Sequence, residues 1–226
     1  MKKKKSGVES VDKALSILDC FVKPRQELSL TELSNSTNNY KSTTLRLCES
    51  LEKFNFLEKD INKKYKLGNG IDRLYSVYDN SFNYREEIQQ ELHSLCKETN
   101  ETVSFFIKQK NLRVCILNSI PNKFIKHVTE IGVPKPLKRG ASGKIVSVYN
   151  NIAVENYKLI RKRGYQIELE VQGEEFASIA TPLFLGKKFL GAIGITGHIS
   201  NFDKKNCLKF VKLLKHSCSK LEKKLV

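Results

Sequence analysis

The chain predicts an α+β protein in two parts. A winged helix-turn-helix comes first, and a connecting helix leads into a domain with a mainly antiparallel sheet flanked by helices. Three observations predict this. Apolar residues recur at helical spacing in three short segments before residue 55. The period then shortens to that of a small hairpin over 56–67. Beyond residue 102, extended apolar runs alternate with helical stretches.

The first helix spans 10–21, where Val11, Ala14, Leu15, Leu18 and Phe21 share one face, and Lys23-Pro24-Arg25 stops it. Ser29 followed three residues later by Glu32 is a capping box, which starts a short helix carrying Leu30 and Leu33. Thr37-Asn38-Asn39 breaks it, because asparagine tolerates the backbone conformations of a turn. A third helix covers 40–54. Leu47, Leu51 and Phe54 face one way beside Cys48, while Lys41, Ser42, Thr43 and Arg46 face another. Residues 56–59 and 64–67 form the hairpin around Asp60-Ile61-Asn62-Lys63, closed by Gly68 and Gly70.

Residues 71–98 return to helical spacing, interrupted by Asp79-Asn80-Ser81. The expected organisation is a winged helix over 1–70 with a disordered basic tail at 1–7, a linker helix over 71–84, and a second domain over 85–226. In that domain 102–107 and 112–120 predict a hairpin, 124–131 a third strand, and Pro134 and Pro136 a loop. Helices are expected at 140–149 and 152–163. Strands are expected at 165–171, 176–185 and 189–196, and a last helix at 203–224.

The net charge of +16, from 40 Lys and Arg against 24 Asp and Glu, favours polyanionic partners. It does not locate them. Residues 1–80 hold 15 Lys and Arg against 11 Asp and Glu, whereas 81–226 hold 25 against 13. A composition rich in Asn, Ile and Lys is also what an AT-biased genome produces. No apolar run approaches the roughly 18 residues of a membrane helix, and the basic N-terminus leads into no apolar signal core. A cytoplasmic protein without membrane association is expected.

The third helix suits base reading. A recognition helix brings its first turn to base edges while its opposite face packs. Hydroxyls at Ser42, Thr43 and Thr44 reach phosphates or bases, and Lys41 and Arg46 reach guanine or phosphate. The helix N-terminus favours an anion. Lys59, Lys63, Lys64 and Lys66 suit a wing lying along the DNA backbone. The same polar face would also fit a module that docks protein.

Several of these segments together resemble the IclR family of bacterial regulators. The landmarks are Ser10-Val11-Asp12-Lys13-Ala14-Leu15-Ser16-Ile17-Leu18, residues 28–33, Lys41-Ser42-Thr43-Thr44-Leu45-Arg46-Leu47, Leu51-Glu52 and Tyr65-Lys66-Leu67-Gly68. Asn38 and Asn39 stand where the family pattern has glycine and an apolar residue. The resemblance continues through Gly140-Ala141-Ser142-Gly143-Lys144, Arg163-Gly164-Tyr165-Gln166-Ile167-Glu168, the run from Ser178 to Phe184, and Gly191-Ala192-Ile193-Gly194-Ile195-Thr196-Gly197. It implies a GAF-like effector domain, double-stranded DNA and a small-molecule effector as partners, and a homodimer or tetramer.

Within the second domain the resemblance places an effector site at Gly140, Ala141, Glu168, Ser178, Gly194 and Thr196. Free N–H groups at the start of a helix at Gly140 bind anions. Ser178 and Thr196 offer hydroxyls on neighbouring strands, Gly194 leaves room beside them, and Glu168 accepts a ligand hydroxyl. An organic acid held by neutral donors is the expected effector. The glycines equally suit tight strand packing, the two hydroxyls cross-strand pairing, and Glu168 a solvated strand position. Lys138 and Gly194 replace the family's usual His and Ser.

The six cysteines show no CxxC spacing and the four histidines are scattered, so no metal, disulfide or cofactor is expected. Nor is an enzyme; Cys115 with His127 is the one pairing a nucleophile could use. Cys20 or Cys48 could serve a thiol redox sensor near the DNA-reading helices.

Overall fold

The structure, a computed structural model, describes residues 7–22, 27–81, 84–169 and 175–225. The helix stop at Lys23-Pro24-Arg25, most of the basic tail and the end of the strand expected at 165–171 lie outside the described residues. The chain divides into two compact units, Met1–Asn83 and Tyr84–Val226.

In the first unit, α1 (Glu9–Asp19) runs into a 3₁₀ turn at Cys20–Val22. A two-residue strand, β1 (Leu28–Ser29), precedes α2 (Leu30–Thr37). The capping box is formed: Ser29 Oγ accepts from the Glu32 amide at 3.3 Å, and the Ser29 amide donates to Glu32 Oε2 at 2.9 Å. Asn38 ends α2 in the left-handed region at φ 53°, a conformation that asparagine and glycine tolerate. Then follow α3 (Lys41–Lys53), β2 (Leu57–Lys59), β3 (Lys64–Leu67) and α4 (Gly70–Ser81). Three helices followed by a wing are the expected winged helix-turn-helix. The wing has one strand more than expected, because β1 pairs with β3 (Leu28 opposite Tyr65) to give the order β1-β3-β2. Ile17, Leu33, Cys48, Leu51, Leu57 and Tyr65 form the core beneath it. Phe54, expected on the packed face of α3, is instead 61% exposed.

The second unit begins with α5 (Arg85–Thr99) and the hairpin β4 (Thr102–Gln109) and β5 (Leu112–Ser119). Next come β6 (Pro134–Pro136), α6 (Gly140–Tyr149), α7 (Tyr157–Arg163), β7 (Gln166–Glu168), β8 (Phe176–Leu185), β9 (Lys188–His198) and α8 (Lys204–Lys224). The strands form one antiparallel sheet in the order β6-β5-β4-β9-β8-β7. The two-residue side-chain period divides its faces. Thr181 on β8 touches Cys218 of α8 at 3.3 Å, whereas its neighbours Ala180 and Ser178 meet α6. Helices therefore cover both faces.

Two expectations exchange places here. Residues 124–131 form no strand; the outer edge of β5 is taken instead by Pro134–Pro136, where a loop was expected. Proline donates nothing to a ladder, so it is tolerated at the sheet's last strand. The displaced segment satisfies its backbone through side chains: Thr102 Oγ1 donates to the His127 carbonyl and Asn118 Nδ2 to the Thr129 carbonyl, each at 2.6 Å. The helix expected from 152 begins at Tyr157. Among the described residues no helix is long and apolar enough to cross a membrane, and no group of three or more His, Cys, Asp or Glu could hold a metal.

Candidate functional site

On α3 the residues proposed to read DNA separate into two sets. Lys41, Ser42 and Arg46 are exposed and Thr43 is half-buried. Thr44 differs: it is fully buried, and its Oγ1 donates to the Tyr40 carbonyl at 3.1 Å. With Cys48 and Leu51 it forms the i, i+4, i+7 stripe that packs the helix. Tyr40, the N-cap, makes no side-chain capping bond and is 86% exposed. The first turn of α3 thus offers unbonded backbone N–H groups beside Lys41, the arrangement that attracts a phosphate. Sequence reasoning set Tyr40 at the helix start without giving it a contact role; an N-cap lacking a capping side chain is the signal that was there.

The wing carries Lys63 and Lys64 exposed at its tip, with Lys63 in the left-handed region at φ 62°. Asp60 fixes that turn by accepting the Lys64 amide at 2.7 Å. Lys66 is engaged with Glu58 at 3.2 Å, and the Lys59 ammonium lies over the Tyr65 ring, 5.0 Å from its centre. Among the described residues Lys63 and Lys64 are the wing lysines free of such contacts.

In the second unit a cavity of about 310 Å³ opens between the sheet and the start of α6. Gly140, Ser178 and Thr196 line it. Ser178 stands opposite Thr196 in the sheet, and its Oγ accepts the Ala141 amide at 3.2 Å. That contact ties the helix start to β8 and removes one donor the site was expected to offer. Gly194 sits two pairs further along, opposite Ala180, and outside the wall. A Cβ there would lie 3.3 Å from the Ile179 carbonyl, so its lack of a side chain serves close packing. Glu168 also lies outside the wall, held by Lys144 at 2.8 Å and by the Gln166 amide. Lys138 is exposed and does not line the cavity.

The cavity's character comes from residues that sequence reasoning passed over. Arg113, Lys135 and Arg139 line it, with His127, and no carboxylate does among the described residues. Arg113 is 6% exposed. Its Nη1 donates to the carbonyls of Pro136 and Arg139, and its guanidinium lies 5.5 Å from the centre of the Phe106 ring. Its Nε has no hydrogen-bond partner. Burial without a neighbouring acid pulls its pKa down to about 10. The backbone makes room for it at Gly143, where a Cβ would meet Arg113 Nη1 at 2.5 Å and the Leu137 carbonyl at 2.3 Å. A buried arginine on an interior strand was the available signal, but its companions become visible only through β6.

Cys115 and Cys48 are buried thiols. Cys115 donates to the Leu117 carbonyl at 3.2 Å, and burial pushes it up to about 11. Burial pushes Cys48 up to about 12. A nucleophile or a peroxide sensor needs the opposite displacement.

Comparison with known proteins agrees with this architecture. Residues 10–60 match the IclR helix-turn-helix domain. The chain is 23% identical to a glycerol operon regulatory protein of Streptomyces coelicolor, covering 90% of each chain. It is 21% identical to the HTH-type transcriptional regulator KipR of Bacillus subtilis, over 96% of this chain and 97% of the other. Among solved structures, an IclR transcriptional regulator from Alicyclobacillus acidocaldarius superposes with a TM-score of 0.82 at 19% identity, covering 97% of this chain and all of that one. An IclR homologue from Microbacterium hydrocarbonoxydans complexed with 4-hydroxybenzoate superposes with a TM-score of 0.80 at 14% identity, covering 96% and 98%.

Proposed function

Since this chain is a transcription regulator of the IclR family with a DNA-binding helix-turn-helix, we propose that it reads a pseudo-palindromic operator as a homodimer or a dimer of dimers, and that a small anionic metabolite shifts its operator affinity. On this reading residues 1–70 contact DNA in the cytoplasm, 71–84 link, and 85–226 bind the effector. The observation that carries it is the start of α3, where Lys41 and Ser42 are exposed beside free backbone N–H groups and Arg46 is exposed further along the helix. Lys63 and Lys64 of the wing add backbone contacts. Two such helices on a two-fold axis read half-sites about one helical turn, or a multiple of it, apart.

The dimer reading is supported by apolar side chains left on the surface of the first unit. Val8, Val11 and Leu15 of the first-helix region are each more than half exposed, as are Leu74 and Val77 of α4. Such residues mark an association surface. The effector reading is supported by the cationic cavity, and by a relative of the same fold that is complexed with an organic acid. A ligand bound unequally by two quaternary states shifts the operator equilibrium by that difference.

The test is a titration of upstream promoter DNA with Lys41→Ala/Arg46→Ala. Loss of sequence-specific binding with retained folding is expected; wild-type affinity would assign DNA reading elsewhere. Leu15→Asp, measured by light scattering, should shift the protein towards monomer.

A further inference from the structure

We propose that the cavity selects a compact dianion, a small dicarboxylate or a phosphate monoester, over a monoanion of the same size, with Arg113 and Lys135 as the residues that read the second charge. This rests on the reading of the cavity as the effector site.

Arg113 of β5 stands directly opposite Lys135 of β6. Opposed residues on antiparallel strands point to the same face, here the cavity face, and bring their side chains close together. Like charges in that relation destabilise a sheet unless something lies between them. Nothing among the described residues does. Neither residue is paired with a carboxylate among the described residues, and no acid lines the cavity. Arg113 is more than nine-tenths buried with its Nε unsatisfied. A buried cation without a counter-charge is costly to keep, so the wall that Arg113 lines is a place where an anion arrives.

The count of charges decides the ligand class. A monoanion neutralises one member of the Arg113–Lys135 pair and leaves the other, with Arg139 close to the same wall. A dianion satisfies both. The volume limits the rest of the molecule. About 310 Å³ is at the small end of ligand cavities, which run roughly 300–1,000 Å³. Ser178 and Thr196 supply neutral hydrogen bonds on the β8–β9 side, and Phe106 offers an apolar wall. The ligand is therefore a short chain whose two terminal charges both reach the Arg113–Lys135 wall, or one doubly charged head there.

The test compares matched pairs by isothermal titration calorimetry at pH 7.5: glutarate against its monomethyl ester, and ethyl phosphate against its isomer dimethyl phosphate, with 4-hydroxybenzoate as a fifth probe. The expected result is that the doubly charged member of at least one pair binds about tenfold or more tighter than its partner, the effect of one added charge-assisted contact. The pair that shows the difference identifies the source of the charge. Arg113 also staples the β6–α6 connection, so Lys135→Gln is the informative variant. It should abolish the preference and raise the ligand-free melting temperature by relieving the like-charge contact, which a merely structural lysine would not do. Equal affinities within both pairs, or an unchanged preference in Lys135→Gln, overturn the proposal. Binding of 4-hydroxybenzoate but of no dianion overturns it and keeps the effector pocket. Binding of none of the five overturns both.

Discussion

The hydroxyl of Thr44 donates to the carbonyl of Tyr40 at 3.1 Å and lies wholly inside the first unit, whereas Lys41, Ser42 and Arg46 on the same helix are exposed. The start of α3 thus holds both a packed and an exposed face. Thr44→Val should leave operator affinity within about twofold and cost about 1 kcal/mol of stability, the usual worth of one neutral hydrogen bond. Arg46→Ala should lower affinity and reduce the salt dependence of binding by about one unit of slope, as loss of a phosphate contact does. Anisotropy titrations of both variants at several salt concentrations separate the two faces.

Asn38 holds the turn between α2 and α3 at φ 53° and ψ 38°. Asn38→Gly should be neutral or slightly stabilising. Asn38→Ala should destabilise the first unit by about 1 kcal/mol, because a Cβ without a polar side chain is penalised in the left-handed region. Urea unfolding of the intact chain, followed by circular dichroism, gives both values.

The buried thiols predict a pH dependence. Cys115 is displaced from 9.0 to about 11 and Cys218 to about 12, both by burial. A thiol that ionises near 9 when unfolded but stays protonated in the fold stabilises the fold fully below pH 9, and that contribution is lost as the pH rises towards 11–12. Each thiol should cost the second unit about 1 kcal/mol between pH 9 and 10. Arg113 acts oppositely, but only above its lowered value of about 10. Urea titrations at pH 8, 9 and 10 should show the fall, and Cys115→Ser/Cys218→Ser should flatten it. In the native protein at pH 8, Cys48, Cys115 and Cys218 should resist a thiol reagent; rapid labelling of Cys48 would restore the redox reading.

Local signals made much of the fold legible. Ser29 and Glu32 announce α2 because a capping box is a short-range device, and α6 and α8 follow from apolar spacing alone. Strands β8 and β9 were readable because each is long and apolar on the faces it buries. What escaped depends on partners distant in sequence. Leu28–Ser29 is a strand only because β3 lies beside it, and Pro134–Pro136 only because β5 has an open edge. The site was legible to the same degree. The exposed face of α3 follows from helical phase, although Thr44 shows that a hydroxyl's type does not give its direction. The cationic wall was hidden because Arg113 and Lys135 meet through a strand that reads as a loop.

The central claim is that α3 reads DNA in a sequence-specific way. The most direct test is fluorescence anisotropy of the purified protein with its own upstream intergenic DNA, at two salt concentrations and with unrelated DNA as competitor. Competitor-resistant binding at about 10⁻⁸ M or tighter, weakening as salt rises, is expected. Affinity for that DNA no greater than for the unrelated competitor would contradict it.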